Sequence, residues 1–204
     1  MLKQSLKPKK YHHVRGIKKP RIPRYVFFVL SVILLITGAY LLILTLSPNK
    51  IIPISSPIEL NKSDDESDTR NRIQIEDIDL EVPYFSGTTP AILEKGVWWR
   101  YSDRGNPKDG GNFILSAHRF YLGTTPSGTR KRSPFYHLDN LEPGSKIRVF
   151  YEKSWYEYIV SRKYTVKPDA VEIEDFSETP KMTLYTCTLR GSADGRVVIE
   201  AVLR

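Results

Sequence analysis

KIRVFYEKSWYEYIV, residues 146–160, decides the class of fold. Ile147 and Val149 alternate with Lys146 and Arg148, so one face of the segment is apolar and the other charged. That is the period-two pattern of a half-buried strand. Glu152 and Lys153 interrupt it, and Trp155–Val160 resumes it, which predicts a β-hairpin. The same alternation recurs where Ile73 and Ile75 sit among Arg72, Gln74 and Glu76. Phe113-Ile114-Leu115 and Val197-Val198-Ile199 are denser apolar runs, as expected of interior strands. Pro83, Pro90, Pro107, Pro126, Pro134, Pro143, Pro168 and Pro180 punctuate the runs, and only Thr89–Lys95 and Pro134–Asn140 read as short helical turns. Many short strands and few helices predict a mainly β domain, closed into an antiparallel or mixed barrel. This domain covers residues 72–204, and a length of about 130 residues is enough to bury one core.

Upstream the composition changes abruptly. Residues 25–46, YVFFVLSVILLITGAYLLILTL, carry no charge. As a helix they would reach about 33 Å, enough to cross a hydrocarbon core of roughly 30 Å. The run is longer than the apolar part of a cleaved secretory signal, and no small-x-small cleavage site follows it, so a retained transmembrane signal-anchor is expected. Residues 47–71, rich in Pro, Ser and Asp, read as a flexible stalk.

The formal charge of +8 invites a nucleic-acid reading, and its distribution removes it. Of 31 Lys and Arg, nine lie in residues 1–24 with no acid among them, leaving 22 bases against 23 acids in the remainder. The positive-inside rule places this basic tail in the cytoplasm and the domain outside. Anionic headgroups at the membrane, rather than nucleic acid, are the expected partners of the tail.

Cys187 is the single cysteine, so outside the cytoplasm it has no intramolecular disulfide partner. A lone cysteine is either an inert core thiol or a nucleophile, and a nucleophilic thiol needs a nearby base or cation. His12 and His13 fall in the cytoplasmic tail. His118 ends the run Asn112–Ala117 and opens a loop rich in Gly, Thr and Ser, where catalytic groups are commonly carried. His137, inside Phe135-Tyr136-His137-Leu138, reads as an ordinary half-buried histidine. Arg196 opens the apolar run to Leu203, and an antiparallel pairing with Thr183–Cys187 through a loop at 188–195 would return it to Cys187 as an oxyanion donor. Arg190, within that loop, reads as a solvated charge.

These residues resemble the sortase family. Thr183-Leu184-Tyr185-Thr186-Cys187 is similar to its TLxTC signature, Ala117-His118-Arg119 resembles its Gly-His-Arg, and Arg196 falls where its arginine follows the cysteine. Pro134-Phe135, Leu138-Asp139, Leu141, Gly144 and Ile147 resemble the segment after the family's histidine. Ala117, Ser145 and Leu189 depart from its usual Gly, Asp and Pro. No Asp-Pro-aromatic lid motif precedes the domain, and no second apolar run follows it; Ala117-His118-Arg119 followed by Ser133-Pro134-Phe135, and Ser192-Ala193 before Arg196, look most like class E or D enzymes.

The resemblance implies a closed eight-stranded β-barrel with short helices, preceded by one transmembrane helix. It implies a cysteine transpeptidase acting on surface proteins with a C-terminal LPXTG-like sorting signal. Cys187 would cut between Thr and Gly through a thioester, His118 would move the protons, and Arg196 would hold the carbonyl or oxyanion. A cell-wall precursor or pilin amine would take up the product. No cofactor and no metal are implied. The Val166–Lys181 loop would form one wall of the peptide groove, and its acids read as solvated rather than as calcium ligands. Papain-like enzymes and L,D-transpeptidases place cysteine and histidine in other contexts. The rival of a different kind is a membrane-tethered β-barrel binding module with an inert Cys187.

Overall fold

The structure, a computed structural model, describes residues 23–49 and 70–204. Most of the expected tail (1–24) and of the expected stalk (47–71) lies outside the described residues. The apolar run forms helix α1, Arg24–Leu46. At about 1.5 Å per residue it is long enough to cross a membrane. Its serine and threonine hydroxyls bond back to its own carbonyls, Ser31 to Phe28 at 2.8 Å, Thr37 to Ile33 at 2.9 Å and Thr45 to Leu42 at 3.0 Å, as an apolar environment requires.

Nine strands are found among the described residues. They are β1 (Arg72–Ile75), β2 (Leu80–Ser86), β3 (Val97–Arg100), β4 (Gly105–Asn106) and β5 (Gly110–Ser116). After a helical interruption come β6 (Lys146–Tyr151), β7 (Ser154–Val166), β8 (Lys181–Thr188) and β9 (Gly191–Leu203). Eight of them close a ring in the order β3-β2-β1-β6-β7-β9-β8-β5, with β3 pairing back onto β5 and the two-residue β4 fringing β5. The pairs β2–β3 and β5–β8 are parallel and the rest antiparallel, so the barrel is mixed. Closure removes the free edges that would otherwise template aggregation.

The 146–160 hairpin forms as its pattern demands, with Tyr151 opposite Ser154. Glu152 and Lys153 both take positive φ, 47° and 66°, the backbone that matches the twist of the two strands. Ile147 and Val149 point inward and are fully buried with Ile73, Ile75, Phe113, Leu115, Leu184 and Ile199. The dense runs have a second cause. Ile114, Tyr185 and Val198 face outward, yet they too are buried, under Ile173 of the short 3-10 turn Val171–Glu174. Strands β5, β8 and β9 are therefore apolar on both faces because a connecting segment covers their outer face.

The connecting segments follow the expected turns in part. The turns expected at Thr89–Lys95 and Pro134–Asn140 are 3-10 turns, at Pro90–Glu94 and Leu138–Asn140. Helix α2, Pro126–Lys131, carries no periodic signal in its six residues; Thr125 caps it by accepting from the Gly128 amide at 3.1 Å. The connection expected at 188–195 is a two-residue turn, since β8 runs on to Thr188 and β9 starts at Gly191. Residues 192–195 instead bulge out of β9, between the pairs Thr188–Gly191 and Cys187–Arg196.

Candidate active site

The parallel pairing of β5 with β8 sets Ser116 beside Tyr185. One residue later the Ala117 amide donates to the Tyr185 carbonyl at 3.4 Å, and the buried Thr186 hydroxyl donates to the Ala117 carbonyl at 2.8 Å. These bonds carry His118 to the level of Cys187. Across the antiparallel β8–β9 pair, Cys187 faces Arg196 directly. The three residues anticipated from the sequence thus share one end of the barrel, although no hydrogen bond among the described residues joins their side chains.

Strand alternation says which face they share. Met182, Leu184 and Thr186 are inward or fully buried, whereas Thr183, Tyr185 and Cys187 take the opposite face. Arg196, Val198 and Glu200 take that same outer face on β9, opposite Cys187, Tyr185 and Thr183. Cys187 is a free, half-buried thiol on the outside of the barrel, not a member of either apolar cluster. An inert core thiol would sit inward, beside Leu184.

Arg196 is positioned by the bulge beside it. One guanidinium nitrogen, Nη1, donates to the Ser192 carbonyl at 2.7 Å and to the Gly195 carbonyl at 3.0 Å. The rest of its fork has no partner among the described residues, and an arginine has five N–H donors in all. The Thr188 hydroxyl steadies the bulge by donating to Asp194 at 2.6 Å. Arg190 has a side chain that is 86% exposed and lies 4.0 Å from Asp194, as a solvated loop charge should.

His118 is half-buried, with its ring centroid 5.1 Å from that of Tyr121. Burial holds its imidazole below the usual histidine range; nearby Glu94 opposes this and Arg132 reinforces it. The next residue, Arg119, is almost fully buried and pairs with Asp139 at 2.6 Å. Together with the bond from the Phe135 amide to the His118 carbonyl, 3.3 Å, this pins the strand end to the following turns. His137 bonds through Nε2 with the Pro48 carbonyl at 2.9 Å, and its ring is committed to structure.

Sequence reasoning missed the groups that surround these residues. Glu174 is buried, receives the Tyr185 hydroxyl, and meets Arg100 Nε at 3.0 Å. Arg100 also donates to the Tyr185 hydroxyl at 2.9 Å. Asn112 donates to the carbonyls of Ile173 and Asp175 at 3.2 and 2.8 Å and accepts from Thr183 at 2.7 Å. These bonds strap the 167–180 segment across the outer face of β5 and β8, up to Tyr185, two residues before Cys187. Tyr185, the variable position of the TLxTC-like signature, is an anchor of that strap. Among the described residues no cluster of His, Cys, Asp and Glu could hold a metal ion.

The family model described as "Sortase domain" matches residues 73–204. Sortase A of Streptococcus agalactiae serotype III (strain NEM316) is 29% identical over 136 residues, which cover 64% of this chain and 51% of that protein. The chain thus spans about half the length of this curated relative. Among solved structures, sortase C from Clostridium perfringens with the C-terminal cell wall sorting motif is similar at 26% identity and a TM-score of 0.54, over 65% of this chain and 69% of that one. Sortase A of Listeria monocytogenes, at 24% identity, shares the fold with a TM-score of 0.56 over 66% of this chain and 86% of that one.

Proposed function

Since the chain belongs to the sortase family, we propose that it is a membrane-anchored cysteine transpeptidase in which Cys187, His118 and Arg196 act together. The observation that carries this reading is the placement of a free thiol directly opposite a half-committed arginine, with a histidine at the adjoining strand end.

The Cys187 thiolate attacks the carbonyl carbon between Thr and Gly of an LPXTG-like signal. The carbonyl electrons move to oxygen, and the unpartnered part of the Arg196 fork receives that oxyanion or its parent carbonyl. When the tetrahedral intermediate collapses, the C–N bond breaks and His118 supplies the proton that the departing glycine amine needs. The remaining thioester meets an amine of a cell-wall precursor or pilin. His118 takes the proton from that amine, an amide forms, and Cys187 leaves as the thiolate, which restores the starting charges on both residues. His118, kept below the usual histidine range by burial, releases its proton readily to the leaving amine. No cofactor enters these steps. The strapped 167–180 segment supplies one wall of the peptide groove. Helix α1 anchors the domain, residues 72–204, by way of the 47–71 stalk, with tail 1–24 in the cytoplasm.

The test is interception of the thioester. Full-length chain in detergent, mixed with LPXTG-like peptides varied at the second and third positions, should cleave faster when hydroxylamine is present and yield a hydroxamate. A mass adduct equal to the N-terminal part of the peptide should appear on the tryptic fragment with Cys187. Cleavage indifferent to hydroxylamine and without an adduct would mean direct hydrolysis and end the transpeptidase reading.

A further inference from the structure

His118 Nε2 is buried and has no hydrogen-bond partner among the described residues. A buried ring nitrogen without a partner is uncommon and calls for an explanation. The nearest acceptor is Glu94 Oε1, at 3.9 Å, just beyond bonding reach. Glu94 ends the Pro90–Glu94 turn that precedes β3, and its other oxygen, Oε2, lies 3.6 Å from Arg132 Nη2. Arg132, the residue that ends α2, sits with its guanidinium 4.9 Å from the centre of the Tyr121 ring, whose near neighbour is His118 itself. Carboxylate, guanidinium and phenol thus form a closed cage on one side of the imidazole, drawn from three separate elements.

We propose that Glu94 is the positioning residue of His118: it receives the Nε2 proton, is itself held by Arg132, and leaves Nδ1 as the nitrogen that exchanges the proton with substrate. This rests on the reading of His118 as the acid–base group. The physical reason is the linkage between the two ring nitrogens. In a neutral imidazole the nitrogen that donates to a fixed acceptor keeps its proton, so the partner of one nitrogen decides the role of the other. A shift of about 1 Å, one rotamer adjustment of a glutamate, closes a 3.9 Å separation to a hydrogen bond.

Arg119, adjacent in the chain, pairs through Nη2 with Asp139, while its buried Nε and Nη1 have no hydrogen-bond partner among the described residues. On the β8–β9 hairpin, Cys187 and Arg196 face each other across the strand pair. Arg132 is the cation whose repulsion Glu94 offsets: burial and Arg132 lower the imidazole's proton affinity, and Glu94 raises it.

The experiment uses the full-length chain in detergent with 15N-labelled histidine. The four histidines are His12, His13, His118 and His137, and loss of a signal in His118→Ala assigns the relevant one. In Glu94→Gln the His118 titration should move to lower pH by about half to one unit. This is the size expected of one charge about 4 Å away that is partly screened by water. The neutral-form 15N shifts should move from mostly Nε2–H towards a mixture of tautomers. Glu94→Asp, which keeps the charge on a shorter arm, should recover part of both effects. The histidine limb of the pH profile of peptide cleavage should follow the titration. Glu94→Gln is an isosteric change at a half-exposed position, so an unchanged tryptophan emission maximum is the check of folding. An unmoved titration and tautomer ratio in the folded variant would overturn the proposal, whatever the activity. A moved titration in a chain that cleaves no peptide would uphold it and count against the catalytic reading instead.

Discussion

The Arg100–Glu174–Tyr185 network gives the sharpest stability prediction. Glu174 has a side chain only 10% exposed and Arg100 one 25% exposed, so both charges are largely removed from water and depend on each other. Breaking a buried pair by deleting one partner costs about 3–5 kcal/mol, and the remaining exposure of Arg100 favours the lower end. Arg100→Met fills similar space, removes the cation from over the Trp98 and Tyr101 rings, and leaves Glu174 with the Tyr185 hydroxyl alone. The expected loss is about 3 kcal/mol, or roughly 10 °C in Tm for a domain of this size. Tyr185→Phe leaves the 3.0 Å ion pair intact and should cost about 1 kcal/mol. The triple replacement Arg100→Met, Tyr185→Phe, Glu174→Leu should return to within about 1–2 kcal/mol of the parent, because no uncompensated charge is left. Melting of the full-length chain in detergent, followed by tryptophan fluorescence, reads the barrel selectively, since Trp98, Trp99 and Trp155 are its three tryptophans. A Tm for Arg100→Met within about 2 °C of the parent, or a triple variant worse than the sum of its parts, would refute the reasoning.

Glu200 gives a pH prediction. Burial alone would raise its pKa, but bonds from Arg162 at 2.6 Å, Tyr164 at 2.9 Å and Lys181 at 3.3 Å hold it at about 2, against an ordinary value of 4.5. A depressed folded pKa means stability that is full above the unfolded value and is lost as pH falls from about 4.5 towards 2; urea midpoints should drop over that window in the parent and much less in Glu200→Gln. Gly111 has φ +78°, and a Cβ there would collide with the Arg104 carbonyl, so Gly111→Ala should lower the urea midpoint by an amount worth about 2 kcal/mol or more. Cys187→Ala should abolish peptide cleavage; His118→Ala and Arg196→Ala should each lose about 10²–10⁴-fold in kcat, while His137→Ala stays active. Protease added to intact protoplasts should remove residues 72–204, and protection of that domain would overturn the proposed topology.

Much of the molecule can be read from residue patterns because barrel strands obey a period of two. Ile73, Ile75, Ile147 and Val149 announce their strands without help from the rest of the chain, and the Glu152-Lys153 interruption marks the hairpin. Alternation fails at β8 and β9, where the covering segment buries Tyr185 and Val198 on the outer face. That burial depends on Ile173, a contact made across the fold rather than along the chain. The 192–195 bulge is equally silent, because what holds it are backbone carbonyls accepting from Arg196. Helix α2 has six residues, too few for a 3.6-residue period to show, and rests on a single threonine cap.

The candidate site divides along the same line. Cys187, His118 and Arg196 are legible because each combines an uncommon residue type with a strand boundary, and strand pairing then does the rest: register alone sets Cys187 opposite Arg196. The residues that tune them are not legible, because their effect is electrostatic and their partners are distant in sequence. Glu94 and Arg132 are ordinary surface charges until the Pro90–Glu94 turn and the end of α2 are folded against the same imidazole. Arg100 and Glu174 likewise have nothing to mark them as partners before β3 and the Val171–Glu174 turn meet. In the folded chain one set lies beside the His118 imidazole and the other fixes the Val171–Glu174 turn to Tyr185 on the outer face of β8. A motif can point to Cys187 and His118, but a charge pair such as Glu94 and Arg132 has to be found by distance.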